Sequence, residues 1–265
     1  MNPVLFSVFG ISFIFLCTTL GASFVFFFKR EISGRLNDVI VGFAGGIMLA
    51  ASCFSLIGPV LEMDDLVLPG YAVGAIGTLL GVLFLYLIDR LLPHFHIAEK
   101  KNEGLGASKV NKTLKMFFAV TIHNIPEGLS VGVAFGVALS LYASSSDMSF
   151  VFSALSLALG IGIQNIPEGL SVALPFKAET SKRGKAFLYG TLSGAVEPIA
   201  ALFGLFLAMQ VQSIMPWALS FAGGAMLYVI LEEMVPETSK DSTSHLGVFS
   251  FIFGFVLMMV MDRAL

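Results

Sequence analysis

Three carboxylates and one imidazole stand inside apolar runs of this sequence, where ordinary packing has little use for them. They belong to His123-Asn124-Ile125-Pro126-Glu127-Gly128, to Gln164-Asn165-Ile166-Pro167-Glu168-Gly169 and to Ser193-Gly194-Ala195-Val196-Glu197-Pro198. Asn124–Val131 and Asn165–Val172 read NIPEGLSV twice, 41 residues apart, an identity too long to assign to chance. On a helix, His123 and Glu127 share one face, and Asn124 lies about 100° around from His123. Gln164, Glu168 and Asn165 repeat that arrangement. Pro126 and Pro167 each remove a backbone hydrogen bond, which frees the carbonyls of Ile122 and Ile163. A kink there opens room for an ion and offers it further oxygen atoms. Gly128 and Gly169 are expected to let the two motif helices approach each other closely.

One imidazole, amide oxygens and carboxylates, with no thiolate, suit Zn²⁺, Fe²⁺, Mn²⁺ or Cd²⁺ better than Cu⁺. Ca²⁺ or Mg²⁺ would not call for the histidine. Three ionised carboxylates carry more charge than one divalent ion balances. Either two ions share the site, with Glu127 and Glu168 bridging them, or some carboxylates stay protonated while one ion is bound. The second option would couple metal to protons, because a metal displaces protons from its ligands. Glu197 taken alone also reads as a buried carboxylate that joins helices through a polar neighbour.

The elements that carry these residues must lie in lipid. Of the 265 residues, 56% are hydrophobic and 12% charged, against about 25% charged in a soluble domain. The mean hydropathy is +0.89. Too few polar residues remain to clothe a water-soluble surface, so the solvent for most of the chain is the bilayer. A charged side chain placed there costs about 3 kcal/mol on insertion scales, and its default reading is functional.

Eight stretches are long and apolar enough, or nearly so, to cross: roughly Val4–Phe28, Val39–Leu61, Leu68–Leu92, Leu114–Tyr142, Ser149–Phe176, Ala186–Met209, Pro216–Val235 and Leu246–Met261. The runs do not alternate apolar with polar, which argues against a β-barrel. The N-terminus lacks a basic region before its apolar run and reads as a retained first helix rather than a signal peptide. Residues 93–112 are the one connection long enough to be a mobile polar linker. Cys17 and Cys53 lie in separate apolar segments and read as packing residues. No basic patch lies outside short loops, which excludes nucleic acid as a partner.

Charge sets the orientation. Lys29, Arg30 and Arg35 follow span 1. Arg90, Lys100, Lys101, Lys109, Lys112 and Lys115 flank the loop between spans 3 and 4. Lys177, Lys182, Arg183 and Lys185 lie between spans 5 and 6, and Lys240 between spans 7 and 8. These are alternate connections, and the positive-inside rule places them in the cytoplasm, with both termini outside. The opposite loops hold no Lys or Arg and carry Glu62, Asp64, Asp65 and Asp147. Acidic groups at an outer mouth concentrate cations, or they are simply solvated loop charges. The twin motifs lie on consecutive, antiparallel spans, which predicts a pseudo-two-fold axis in the membrane plane. Transporter sites commonly sit on such an axis. The expected architecture is an all-α integral membrane protein: eight transmembrane helices in an inverted-repeat bundle, with residues 1–265 forming one domain.

The sequence resembles the ZIP (Zrt-, Irt-like protein) divalent metal transporters, especially the short bacterial GufA-like branch. The resemblance rests on His123–Gly128, Gln164–Gly169, Glu197-Pro198, Asp89-Arg90-Leu91-Leu92-Pro93-His94, Gly42-Phe43-Ala44 and Ala51-Ser52. It covers nearly the whole chain. It implies metal transport into the cytoplasm through a binuclear site on helices 4, 5 and 6, as one bundle slides against the other, with no enzymatic activity and no prosthetic group. It implies a first ion on His123, Glu127, Gln164 and Glu168, and a second on Asn124, Glu127, Asn165, Glu168 and Glu197. A homodimer in the plasma (inner) membrane is the family-level expectation.

Three departures stand out. Gln164 replaces a histidine common in the family, which weakens nitrogen ligation. Glu232 replaces a histidine in Glu232-Glu233-Met234-Val235-Pro236-Glu237. The loop after helix 3 offers only His94 and His96, which alternate like ligands or mark a solvated end, and His245 reads as a loop residue. Other classes fit less well. An intramembrane zinc hydrolase would need a His-Glu-x-x-His helix, which does not occur. A metal-gated receptor would be told apart by its lack of metal flux into sealed vesicles.

Overall fold

The computed structural model describes residues 2–27, 33–63, 67–91, 94–96, 101–103, 112–210, 212–238 and 245–264. Lys29, Arg30, Asp64, Asp65, Lys100, Lys109, Lys240 and the side chains of His94, His96, Lys101, Lys112 and Lys115 lie outside the described residues.

Eight helices form among the described residues, each long and apolar enough to cross a membrane. They are α1 (Pro3–Phe26), α2 (Gly34–Leu61), α3 (Gly70–Leu91), α4 (Lys112–Ser145), α5 (Ser149–Thr180), α6 (Arg183–Gln210), α7 (Met215–Thr238) and α8 (Leu246–Ala264). Between α3 and α4 the chain makes two short antiparallel strands, β1 (His94–His96) and β2 (Lys101–Glu103), with Phe95 opposite Asn102. That connection is therefore partly structured, where the sequence suggested only a linker.

The exterior is apolar: Leu79, Phe203 and Phe249 are among the most exposed side chains, while Asn124, Glu127, Gln164, Asn165 and Glu197 are buried. This inversion of the soluble pattern is what lipid requires, since hydrocarbon cannot satisfy polar groups. The two cysteines remain free thiols far apart in the sequence.

The tightest helix pairs are α4 with α6, α1 with α5, α2 with α8 and α3 with α7. These pairs map onto one another when 4 exchanges with 5, 1 with 6, 2 with 7 and 3 with 8. The packing thus carries the inverted repeat that the twin motifs announce. The same exchange relates two wide π-helical segments, Ala51–Ile57 in α2 and Ile230–Met234 in α7. Such turns redirect side chains and cluster at functional positions.

A three-residue turn forces α4 and α5 antiparallel. Ser146 takes a left-handed conformation with φ of 58°, and the backbone N–H of Ser149 donates to Asp147 Oδ1 at 2.9 Å. That bond holds the Asp147 carboxyl below the usual carboxylate range, so this loop acid stays ionised at neutral pH.

The motif glycines do not bring α4 and α5 together as their shared motif suggested. Each faces a third helix instead. A Cβ on Gly128 would strike the backbone of Glu197 on α6, and one on Gly169 would strike the backbone of Thr18 on α1. Close helix approach in lipid runs through small residues, and here it joins each motif helix to its tight partner.

Candidate metal centre

The site grows from the middle of α4 and α5. Both helices run unbroken through their prolines, Pro126 in α4 and Pro167 in α5. Packing from neighbouring helices holds the segments together where the proline removes a backbone bond. α6 behaves differently. It interrupts at Ala195, whose N–H turns back to the Leu192 carbonyl at 3.2 Å, and it resumes with Glu197 in its first turn. Pro198 explains the interruption, because it cannot donate to the Gly194 carbonyl. The positive end of the resumed helix then lies beside the Glu197 carboxylate.

Amides and carboxylates interlock across the three helices. Gln164 Nε2 donates to Glu127 Oε1 at 2.9 Å, which joins α5 to α4. Asn124 Nδ2 donates to Glu197 Oε1 at 3.1 Å and to the Ser193 carbonyl at 3.0 Å, which joins α4 to α6. Asn165 Nδ2 donates to the Ile14 carbonyl on α1 at 3.5 Å. Glu168, only partly buried, lies within electrostatic reach of Glu127, Glu197 and Glu233.

The atoms left over are the informative ones. Asn124 Oδ1, Glu127 Oε2, Gln164 Oε1, Asn165 Oδ1 and Glu197 Oε2 are all buried with no hydrogen-bond partner among the described residues. Each amide spends its N–H on a neighbour and keeps its oxygen, and each of these two carboxylates keeps its second oxygen. A buried acceptor without a partner costs about 1–3 kcal/mol. Five from one cluster make a concentration of oxygen lone pairs that only donors or a cation can satisfy. Among the described residues no three His, Cys, Asp or Glu side chains are arranged to hold an ion by themselves.

His123 departs from this cluster. Its Nε2 lies 2.9 Å from Glu233 Oε1, in the π-helical turn of α7. Asp89 on α3 is near enough to act on the same imidazole and accepts a hydrogen bond from Tyr228 at 3.0 Å. His123 and Glu127 still share a helix face, but the imidazole is turned toward α7.

Two residues at the cluster gave no decisive signal in the sequence. Glu233 is legible only as part of an acidic run at the end of span 7. Thr18 donates to Glu197 Oε1 at 2.7 Å from a helix whose scattered serines and threonines form no motif.

Comparison with known proteins bears on the same residues. A family profile described as ZIP Zinc transporter matches residues 112–262, which span α4 to α8 and every motif carboxylate. The chain belongs to the ZIP family. The zinc transporter ZIP11 of Homo sapiens is 34% identical over 342 aligned positions, covering 100% of this chain and 98% of that protein. The zinc transporter GufA of Myxococcus xanthus is 40% identical over 242 positions, covering 89% of each chain. The zinc transporter ZIPB of Bordetella bronchiseptica is 36% identical over 255 positions, covering 95% of this chain and 78% of that protein. As a member of the ZIP family, the chain is a multi-pass membrane transporter and not an enzyme. The interlocked carboxylates and amides lie at the centre of its zinc-transporter fold.

Proposed function

We propose that this ZIP chain carries Zn²⁺ into the cytoplasm through the cluster on α4, α5 and α6, with residues 1–265 acting as one transmembrane domain. The observation that supports this reading is the set of five unpartnered oxygens. All five come from the seven residues that the motifs single out: His123, Asn124, Glu127, Gln164, Asn165, Glu168 and Glu197. Glu127 and Glu168 bridge two ions. His123 and Gln164 complete the first ion's shell, and Asn124, Asn165 and Glu197 complete the second's. Glu233 holds Nε2 of His123, which leaves Nδ1 as the nitrogen that reaches an ion while the carboxylate orients the ring from behind.

Both termini face outside the plasma (inner) membrane, and residues 93–112 face the cytoplasm, as the alternation of basic and acidic loops requires. The ionised Asp147 then sits at the outer mouth. Cd²⁺, Fe²⁺ and Mn²⁺ are alternative cargo, because an oxygen-rich set with one nitrogen donor discriminates weakly among them. The working unit is a homodimer.

Uptake of radiolabelled zinc into proteoliposomes, with the pH gradient varied, tests the whole reading. Accumulation is expected, and vesicles that stay empty at every gradient would overturn it.

Selectivity rests on Gln164. An amide oxygen is a weaker ligand for Zn²⁺ than an imidazole nitrogen. Gln164→His adds a second nitrogen donor and removes the amide that now holds Glu127. We expect tighter Zn²⁺ binding, stronger preference over Mn²⁺ and a lower maximal rate as release slows. Competition of unlabelled Mn²⁺ against labelled Zn²⁺ measures it, and an unchanged competition curve would show that Gln164 does not touch the ion.

Glu197 carries a milder prediction. Its Oε1 accepts two donors, a role the carbonyl oxygen of Glu197→Gln keeps, while the substitution removes one charge and puts an amide N–H in place of the other oxygen. Bound zinc is expected to fall from two ions toward one, with the fold retained. A variant that binds two ions as tightly as the parent protein would return Glu197 to packing.

A further inference from the structure

The two motif asparagines make matching contacts. Asn124 donates to the carbonyl of Ser193, four residues before Glu197. Asn165 donates to the carbonyl of Ile14, four residues before Thr18. The motif glycines match in the same way, Gly128 against the backbone of Glu197 and Gly169 against the backbone of Thr18. Two separate sets of contacts therefore put Thr18 on α1 at the place where the pseudo-two-fold axis puts Glu197 on α6. The counterparts also meet. Thr18 Oγ1 lies 2.7 Å from Glu197 Oε1, and both residues are fully buried. The hydroxyl has a second, longer acceptor in the Ile14 carbonyl at 3.2 Å.

We propose that Thr18 is a positioning residue of the transport site: together with the Asn124 amide it holds Oε1 of Glu197, so that Oε2 faces the transported ion. The proposal rests on the reading of Glu197 as a ligand. Both donors converge on one carboxylate oxygen and the other has no partner within hydrogen-bond geometry, with the Asn165 amide also close to the carboxylate; groups behind a carboxylate orient it for a metal in this way. The threonine also keeps the centre asymmetric. A second carboxylate at its position would press against the first, and two such charges in contact cannot both ionise.

The full chain in proteoliposomes and in detergent provides the test, with zinc KM, maximal rate and bound-zinc stoichiometry as readouts. The variants are Thr18→Val, Thr18→Ala, Thr18→Ser, Glu197→Gln and the double variant Thr18→Ala with Glu197→Gln. Loss of a hydrogen bond to a charged group is expected to weaken binding of the second ion about tenfold in Thr18→Val and Thr18→Ala. Thr18→Ser restores it, and Thr18→Ala adds little to Glu197→Gln. Serine and alanine differ only by the hydroxyl, so their comparison holds even where the lost methyl disturbs packing. If Thr18→Ala matches Thr18→Ser, or if its effect adds in full to that of Glu197→Gln, the proposal is wrong. Normal uptake by Glu127→Ala would sink the metal-site reading itself, whereas a silent Thr18→Ala beside an impaired Glu197→Gln sinks only the role of Thr18.

Discussion

Replacing Glu127 with alanine is expected to abolish zinc uptake, lowering it at least about a hundredfold at normal surface expression. Glu127 is almost fully buried, and it is both the acceptor that fixes Gln164 and a proposed bridge between two ions. Truncation would remove a charge from the surroundings of both proposed ions. It also strands the Gln164 amide, whose oxygen already lacks a partner. An orphaned buried polar group costs about 1–3 kcal/mol, and a lost charged interaction costs more, so a loss of two decades needs only about 3 kcal/mol. Glu168→Ala should behave alike by the pseudo-symmetry. Glu127→Gln keeps the volume and can still pair with Gln164, so it separates loss of charge from loss of shape. Near-normal uptake by Glu127→Ala would show that no ion passes through this cluster.

The second large effect comes from one added methyl group. In Gly128→Ala the new Cβ would lie 2.8 Å from Glu197 Cα and 2.9 Å from its carbonyl carbon. The obstacle is backbone, so no side-chain rotation relieves it, and α4 and α6 must separate. Overpacking of this kind costs about 1–3 kcal/mol. The consequence for transport is expected to be larger, because the same displacement would carry Glu197 away from its proposed place at the ion. Metal-ligand distances tolerate only about 0.2 Å. We expect uptake to fall tenfold or more and thermal stability in detergent to drop. Gly184→Ala is the matched control, since a Cβ there meets nothing within 4 Å, and it should leave both properties unchanged. If Gly128→Ala transports like Gly184→Ala, the close contact of α4 with α6 does not set the geometry of Glu197.

Both variants show how differently the parts of this site announce themselves. Glu127 is conspicuous from composition alone, as a carboxylate in an apolar run, repeated with its neighbours 41 residues later. Gly128 is equally visible, but what it touches is not. The repeat invites the reading that the two glycines face each other, whereas each is taken up by a different helix. Helical periodicity tells which residues share a face, but not which helix that face meets.

What the sequence by itself determined are the properties that follow from solvent. A chain with so few charges must lie in lipid, its apolar runs must be helices of bilayer length, and any carboxylate left inside them must have a use. The doubled motif added the antiparallel symmetry, and residue chemistry pointed to a divalent metal, in line with the zinc-transporter family to which the chain belongs. The tertiary structure alone decided which polar atoms spend their hydrogen bonds on one another and which are left over. It turned His123 toward Glu233, broke α6 just before Glu197, and brought Thr18 into contact with a carboxylate 179 residues away. A threonine in a transmembrane helix is chemically ambiguous, because its hydroxyl can always return to the carbonyl four residues back. Only the packing of α1 against α5 and α6 gives that proton a better acceptor.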